Sequence, residues 1–272
     1  MAEHGAIVLC GGRSTRMGRP KAWLPWRGRP LVVHVVELLN RVVDEVVVVS
    51  SALLELPPLR ATLVRDDEPA EGPLLGLAVG LEAMEAELAF ATSTDVPFLS
   101  EAFVRAVLSH GAAAAPVVDG FVQTLAAAYP RSAATKAREL LAEGRRRPLE
   151  LLEAVGYRAL SADQLPDLES LRGVNTPEAY LDALACHGSA GTATLEFVGR
   201  PCALAGTDSL EVPVGTLSQV LSRAPQHLEL VKDGRIAEAF RVSLDGREFV
   251  LDTAIPIGPG ERVIVLDASP EN

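Results

Sequence analysis

LCGGRSTRMGRPK, residues 9–21, follows a short apolar run at residues 6–9 and contains three glycines. Because glycine has no Cβ, Gly11, Gly12 and Gly18 can take positive φ and let the backbone approach a ligand closely. Successive N–H groups in such a turn can point at one anion. The segment matches neither GxxxxGK[ST] nor GxGxxG, the commoner nucleotide signatures. We predict a phosphate-binding loop after a first strand; a glycine turn with solvated arginines is the alternative.

The charge around this loop is positive, although the protein as a whole is acidic. No Asp or Glu stands between Glu3 and Glu37, and the formal net charge of the chain is −11. The same stretch carries Arg13, Arg16, Arg19, Lys21, Arg27 and Arg29. A local cationic field in an acidic protein indicates an anionic substrate at that place. The net charge argues against general nucleic-acid binding, which requires a basic surface.

The composition is that of a globular protein with room for two domains. The chain has 272 residues, 48% of them hydrophobic and 22% charged. No apolar stretch approaches the roughly 18 residues of a membrane span, and the N-terminus lacks a signal-peptide pattern, so we expect a cytoplasmic protein. Cys10, Cys186 and Cys202 show no CxxC spacing, and the five histidines are scattered. We therefore expect neither disulfides nor a structural metal.

The order of apolar patterns predicts an α/β fold followed by a smaller α+β domain. Strand-like runs at residues 6–9, 45–49, 61–64 and 88–92 alternate with helical patterns at 31–40 and 73–87. This alternation is typical of βαβ units with a mostly parallel sheet. Further helical patterns end near residue 185, and the Gly- and Ser-containing stretch 186–191 marks a domain boundary. Strand-like runs at residues 192–198, 209–213, 229–231, 237–242 and 262–266 follow it, with one short helix near residues 217–223.

Acidic side chains follow two of the predicted strands. In parallel sheets ligands bind beyond the carboxyl ends of the strands. Asp95, in STDVPFL, comes directly after the run at 88–92, and a single carboxylate with phosphate oxygens and water is a usual way to hold Mg²⁺. Asp66 and Asp67 follow the run at 61–64 and precede GPLLG, residues 72–76. An acidic turn before a helix that starts with proline is the plain alternative for this second place.

Several motifs together resemble one enzyme family. LCGGRSTRMGRPK, GPLLG, TDVPFLS, LLAEGRRRPLELLE and GVNTPEAY occur in the order and spacing of MobA-type molybdenum cofactor guanylyltransferases, across roughly residues 5–185. The resemblance implies a Rossmann-like nucleotidyltransferase domain over residues 1–188. The implied substrates are GTP and molybdopterin, with Mg²⁺ as cofactor.

The resemblance also implies roles for particular residues. Backbone groups of Leu9, Cys10, Gly11 and Gly12 would contact the nucleotide, Asp66 the nucleoside, Lys21 the phosphates, and Asp95 both Mg²⁺ and phosphate. Lys21, Asp95 and Arg16 would be the catalytic residues. Attack of the molybdopterin phosphate on the α-phosphate of GTP, with loss of pyrophosphate, brings two anions together, so catalysis consists mainly of neutralising and aligning them.

The C-terminal part resembles a second family. LAGTDSLEVP at residues 204–213 and PIGPGERVIVL at 256–266 are similar to the small subunit of molybdopterin synthase, a MoaD/ThiS-like sulfur carrier. This implies a β-grasp (ubiquitin-like) domain at 192–272. Glu271 and Asn272 stand where such carriers have Gly-Gly, so we expect a docking module without carrier chemistry. Expected partners are the large subunit of molybdopterin synthase or proteins of molybdoenzyme assembly.

Three alternative functions remain open from the sequence. The first is a cytidylyltransferase acting on the same pterin, encouraged by RPKAWLPW at residues 19–26. The second is a non-catalytic nucleotide-binding adaptor, which the departures from the family pattern at Ser50 and Gly173 keep open. The third is a sugar-phosphate nucleotidyltransferase, because the loop is shared and a fold does not fix the acceptor.

Overall fold

The computed structural model describes residues 3–11, 16–66, 72–187 and 191–268, which group into two compact units. The first contains the described parts of residues 1–13 and 31–173, and the second those of residues 14–30 and 174–272. The domain boundary predicted at 186–191 stays a prediction, since residues 14–30 and 174–187 group with the C-terminal residues. Within the described ranges, no helix is both long and apolar enough to cross a membrane.

Strands and short helices follow one another along the whole chain. The first ten strands are β1 His4–Cys10, β2 Pro25–Trp26, β3 Arg29–Pro30, β4 Glu45–Ser51, β5 Thr62–Asp66, β6 Leu88–Ser93, β7 Ala114–Val118, β8 Phe121–Val122, β9 Ala126–Pro130 and β10 Arg158–Ser161. The others are β11 Thr192–Phe197, β12 Ser209–Pro213, β13 Gly215–Thr216, β14 Val231–Lys232, β15 Arg235–Ile236, β16 Phe240–Leu244, β17 Glu248–Val250, β18 Pro256–Ile257 and β19 Arg262–Asp267. The α-helices are α1 Leu31–Leu39, α2 Pro73–Ala83, α3 Glu101–Leu108, α4 Ala133–Ala142, α5 Pro148–Val155, α6 Pro177–Cys186, α7 Arg200–Ala205 and α8 Leu217–Leu221.

The first unit is built on one mostly parallel sheet, as the sequence predicts. Its strand order is β10-β7-β9-β6-β1-β4-β5, with β8 paired to β7. β1 pairs in parallel with β4 and β6, and β4 pairs in parallel with β5. β9 runs antiparallel to both of its neighbours, β6 and β7. β1 therefore lies in the middle of a parallel block that carries the glycine-containing loop at its carboxyl end.

Helices cover both faces of this sheet because its strands are apolar on both sides. β4 reads EVVVVSS, and its central residues are buried, the pattern expected of an interior parallel strand. Ile7 and Val47 face the cluster formed with α2, α4 and α5. Phe90 packs edge-to-face against Phe103 of α3, with ring centroids 6.4 Å apart. The two helical layers exclude water from the sheet and leave its carboxyl edge for a ligand.

The C-terminal residues of the second unit form a mixed five-stranded sheet. Its order is β12-β11-β19-β16-β17, with β11 and β19 parallel in the centre and the other pairs antiparallel. The core of this sheet includes Leu217, Val220 and Leu221 of α8. The expected strands at residues 192–198, 209–213 and 262–266 are present with ends shifted by at most one residue. Helix α7 was not expected from the sequence.

Candidate functional site

The carboxyl ends of four adjacent strands bring the predicted site residues of the first unit together. In the sheet register Leu9 lies opposite Val49 of β4 and Ser93 of β6. Asp66 ends β5 and lies opposite Ser51 of β4. Beyond β6 the backbone N–H of Thr94 donates to the carbonyl oxygen of Leu9 at 3.3 Å, which extends the contact between the strands into the turn. The sheet therefore presents these residues along one edge, where α/β folds bind their ligands.

A cavity of about 290 Å³ opens at this edge of the sheet. Its volume is close to the lower end of the roughly 300–1,000 Å³ range of small-molecule sites. Its walls combine backbone, small apolar side chains and two carboxylates: Leu9, Gly11, Val49, Ser50, Ser51, Asp66, Gly72, Pro73, Gly76, Ser93, Asp95 and Leu125. Four of the predicted nucleotide-binding residues, Leu9, Gly11, Asp66 and Asp95, thus line one cavity.

Helix α2 forms one wall of the cavity through its first turn. Gly72 precedes it with φ 85°, a conformation that favours glycine, and Pro73 occupies the first helical turn. Gly76 lies so close to β1 that a Cβ there would be 3.0 Å from Leu9 Cδ2, and at Gly80 a Cβ would be 2.7 Å from Ile7 Cγ2. These two glycines let the helix pack directly on β1. The N-terminal end of α2, with its partial positive charge, faces the cavity lined by Gly72 and Pro73.

The turn after β6 holds Asp95 in place. The Ser93 hydroxyl donates a short hydrogen bond to Asp95 Oδ1. The ring of His34, on α1, contacts the carbonyl oxygen of Pro97 at 3.1 Å through Nε2, which ties the following residues of the turn to the helix. Carboxylate and hydroxyl oxygens are the hard donors that Mg²⁺ prefers. Within the ranges that the structure describes, no three Asp, Glu, His or Cys side chains cluster as a metal cage.

Cys10 lies at the end of β1 but is buried, with 1% of its surface exposed. Burial raises the pKa of its thiol to about 12, against smaller opposing effects of hydrogen bonds to Thr94 and Ser50 and of the Arg65 charge. A thiol with this pKa stays protonated at neutral pH, and the thiolate is the nucleophilic form. Cys10 is therefore a small packing residue whose backbone, rather than its sulfur, is available to the site.

The remaining predicted residues have other positions. Gly12 lies outside the described residues. Gly18 has φ 72° as expected, whereas the expectation of positive φ at Gly11 is wrong, because Gly11 directly continues the extended strand β1. No atom lies within 4 Å of a Cβ built on Gly11, so its backbone is open to a ligand. Arg16 and Lys21 belong to the second unit, where Arg16 is exposed.

Lys21 has a partner that the sequence did not indicate. Its Nζ donates to Asn175 Oδ1 at 2.6 Å. Asn175 directly precedes Thr176, the N-cap of α6, whose hydroxyl accepts a hydrogen bond from the backbone N–H of Ala179 at 3.2 Å. Pro177 begins the helix. Thr followed by Pro is a recognisable helix start in a sequence, whereas the contact of the preceding Asn175 with Lys21 has no sequence pattern. Ser93 was missed as well, since a serine at a strand end carries no distinctive pattern.

Comparison with known proteins identifies relatives of the N-terminal two thirds of the chain. The family model described as "MobA-like NTP transferase domain" matches residues 6–158. A Bacillus cereus protein named "Probable molybdenum cofactor guanylyltransferase" is 30% identical over 193 residues, covering 67% of this chain and 96% of that protein.

Solved structures share the fold of this part of the chain. Molybdopterin-guanine dinucleotide biosynthesis protein A from Archaeoglobus fulgidus superposes with a TM-score of 0.57 at 21% identity, covering 68% of this chain and 98% of that one. A 2-C-methyl-D-erythritol 4-phosphate cytidylyltransferase from Thermus thermophilus gives a TM-score of 0.52 at 20% identity, covering 66% and 97%. The first unit thus has the Rossmann-like nucleotidyltransferase fold. The match of that family model over residues 6–158 shows that the chain belongs to the MobA-like NTP transferase domain family.

Proposed function

We propose that this nucleotidyltransferase transfers GMP from GTP to molybdopterin, forming the guanine dinucleotide and releasing pyrophosphate. The observation that carries the proposal is the cavity lined by Leu9, Gly11, Asp66 and Asp95, at positions where the family resemblance implies nucleotide contacts. The names of the relatives support the same substrates, since they are called molybdenum cofactor guanylyltransferases.

The cavity suits the nucleoside end of such a substrate. The backbone at Gly11 is open to a ligand. Leu9, Val49 and Leu125 give the cavity an apolar wall against which a planar base can pack. Asp66, on the same cavity wall, offers a carboxylate that accepts hydrogen bonds from base or ribose. These features favour nucleoside binding next to the strand ends.

The residues around Asp95 fit a magnesium ion. Mg²⁺ in nucleotide enzymes is held by one or two carboxylates together with substrate phosphates and water. Asp95, supported by the Ser93 hydroxyl, supplies one such carboxylate at the cavity. A bound Mg²⁺ would neutralise charge on the phosphates during transfer.

The chemistry that follows needs charge neutralisation and alignment rather than a covalent enzyme intermediate. A phosphate oxygen of molybdopterin bonds to the α-phosphorus of GTP, while the bond from that phosphorus to the bridging oxygen breaks and pyrophosphate leaves. Lys21, Arg16 and the N–H groups of the loop would neutralise the approaching anions. The protonated, buried thiol of Cys10 takes no part as a nucleophile.

A competition experiment tests this proposal. Purified protein with Mg²⁺, molybdopterin and equal GTP and CTP is expected to give the guanine dinucleotide, identified by mass. A cytosine product would move the assignment to a cytidylyltransferase, and nucleotide binding without any product would overturn transferase function in favour of an adaptor. Asp95→Asn is expected to abolish transfer, and Lys21→Met is expected to lower kcat/KM on the order of 10²–10³-fold while leaving a measurable residual rate. The exposed residues Asp163 and Lys232 provide the matched controls Asp163→Asn and Lys232→Met, which are expected to retain transfer.

We also propose that residues 192–272 form a β-grasp domain that docks on the large subunit of molybdopterin synthase. The order β12-β11-β19-β16-β17 with a parallel central pair supports this assignment, as does the packing of α8 against the sheet. Glu271 and Asn272 lie outside the described residues. Co-elution of the two purified proteins in size-exclusion chromatography is expected, and separate elution at micromolar concentrations would refute the docking role.

A further inference from the structure

The segment that carries Lys21 is bound to C-terminal residues through a buried ion pair. Arg19 donates from Nη2 to Glu261 Oε1 at 2.6 Å and from Nη1 to Glu261 Oε2 at 2.9 Å. The two side chains are only 9% and 6% exposed. Two parallel hydrogen bonds between guanidinium and carboxylate fix both distance and orientation, which a single contact does not. The pair therefore sets where the backbone two residues before Lys21 lies.

Glu261 is itself held rigidly at the start of β19. Its Oε2 also accepts the backbone N–H of Gly258 at 2.7 Å, and its carbonyl oxygen accepts the N–H of Thr194 in β11 at 2.9 Å. Arg19 Nη1 makes a further hydrogen bond to the carbonyl oxygen of Pro256 at 3.1 Å. The positive charge of Arg19 is thus neutralised by a carboxylate whose residue is held in place by main-chain hydrogen bonds.

Close packing fixes the same segment on either side of Lys21. Gly18, with φ 72°, lies where a Cβ would be 2.5 Å from Ile255 Cγ2. On the other side, the Tyr180 hydroxyl donates to the carbonyl oxygen of Pro25 at 2.5 Å. A Cβ on Gly258 would be 2.4 Å from that hydroxyl oxygen and 3.1 Å from Pro25 Cδ, so no side chain larger than hydrogen fits.

Cation–π contact and a hydrogen bond add two further restraints within the segment. The guanidinium carbon of Arg247 lies 5.6 Å from the centre of the Trp23 ring, within the range of a cation–π contact. The Lys21 ammonium itself is held by Asn175. These contacts of residues 18–25 are all made by residues 175–261, which are distant in sequence.

We propose that Glu261 is a positioning residue for Lys21. Through Arg19, it holds residues 18–25 in the conformation that presents the Lys21 ammonium to substrate phosphates. The C-terminal domain is then a working part of the transferase as well as a docking module. This inference rests on the proposed function in one respect, the binding of phosphate by Lys21.

The test is a double-mutant cycle on the full chain, with steady-state transfer measured well below the melting temperature. Glu261→Gln is expected to lower kcat/KM on the order of 10²-fold, the size of effect that a misplacement of about 1 Å produces. In the Lys21→Met background the same substitution is expected to cause no further loss, because its effect passes through Lys21. If Glu261→Gln lowered kcat/KM by the same factor in the wild-type and the Lys21→Met backgrounds, the proposal would be overturned.

A matched control and a variant without either buried charge distinguish an effect on the position of Lys21 from an effect on the stability of the protein. Glu196 forms a bidentate pair with Arg262 at 2.6 and 2.7 Å in the same domain, but it does not contact residues 18–25. Glu196→Gln is therefore expected to leave kcat/KM unchanged. Arg19→Met/Glu261→Gln removes both buried charges, so it is expected to recover thermal stability relative to Glu261→Gln while transfer remains low. Recovery of transfer together with stability would overturn the positioning role.

Hydrogen exchange gives a readout that needs no catalysis. Glu261→Gln is expected to speed amide exchange in residues 18–25 at least tenfold, whereas Glu196→Gln leaves it unchanged. If the wild-type protein transfers no nucleotide, the proposed function fails, and exchange still decides whether Glu261 fixes this segment. Unchanged exchange at residues 18–25 in Glu261→Gln would overturn the inference while leaving the proposed function standing.

Discussion

Raising the pH from about 8 to about 10 is expected to destabilise the folded protein through the thiol of Cys10. Burial raises the pKa of that thiol from 9.0 to about 12. The folded protein therefore keeps a proton that the unfolded chain releases above pH 9. A group of this kind contributes stability that is complete below the pKa of the unfolded state and is lost as the pH rises toward the folded pKa.

The size of the effect follows from the proton that the unfolded chain releases between its thiol pKa of 9.0 and pH 10. At pH 10 the unfolded chain is favoured by about 1.4 kcal/mol more than at pH 8, since one pKa unit corresponds to about 1.4 kcal/mol. Cys10→Ala lacks the ionisable group and is expected to lack this loss. Burial also raises the pKa values of Tyr129 and Tyr180, but their contribution near pH 10 is common to both proteins and cancels in the comparison.

Urea unfolding curves at the two pH values provide the measurement. The wild-type protein is expected to lose about 1.4 kcal/mol more than Cys10→Ala, with unchanged m-values. Cys186→Ala removes a thiol that is exposed in the folded protein and is the matched control, which retains the loss. An equal loss in wild type and Cys10→Ala would refute the assignment of a protonated, buried thiol. Cys10→Ala is also expected to retain nucleotide transfer, because no thiolate takes part.

Three further substitutions test the packing, a helix cap and a surface ion pair. Gly80→Ala is expected to lower the free energy of unfolding by about 1–2 kcal/mol, since its Cβ would lie 2.7 Å from Ile7 Cγ2. In the double variant Gly80→Ala/Ile7→Ala, the loss of unfolding free energy measured in urea should be less than the sum of the losses in the two single variants. Thr176→Ala is expected to cost about 1 kcal/mol by removing the N-cap of α6, with Thr176→Ser close to wild type in thermal unfolding. Arg138 lowers the pKa of Glu82 across a pair that is 46% and 42% exposed, so Arg138→Met should raise that pKa in an NMR titration while costing no more than about 1 kcal/mol. The small contribution of this pair is present above the ordinary Glu pKa and is lost as the pH falls.

The parallel half of the first sheet could be predicted because its strands are apolar throughout and separated by helical patterns. β4 and α2 illustrate this, since the valine run and the Pro73 helix start both appear where expected. β7 and β9 could not be found in the same way. They read AAPVV and AAAYP, and alanine has little preference for strands. Their burial, which depends on neighbours distant in sequence, decides their conformation.

In the candidate site, too, the features that depend on residues distant in sequence could not be predicted. The glycine loop, Asp66 and Asp95 stand directly after strands, so topology alone brings Leu9, Gly11 and the two carboxylates to one cavity. Arg19 and Glu261 are 242 positions apart, and Lys21 and Asn175 are 154 apart. Neither pairing has a local pattern, because each results from how distant segments fold together. Sequence inspection therefore placed Lys21 in a loop without its support.

The Arg19–Glu261 pair has a consequence for how this chain can be shortened or evolve. The Bacillus cereus relative aligns with 67% of this chain, so a protein of that length is viable elsewhere. A chain cut after residue 187 here would retain Arg19 and Lys21 but lose Glu261 and Pro256, the groups that hold Arg19 in place. Loss of the C-terminal residues would thus leave residues 18–25 without these anchors, so a shortened chain needs new contacts to hold Lys21 in place.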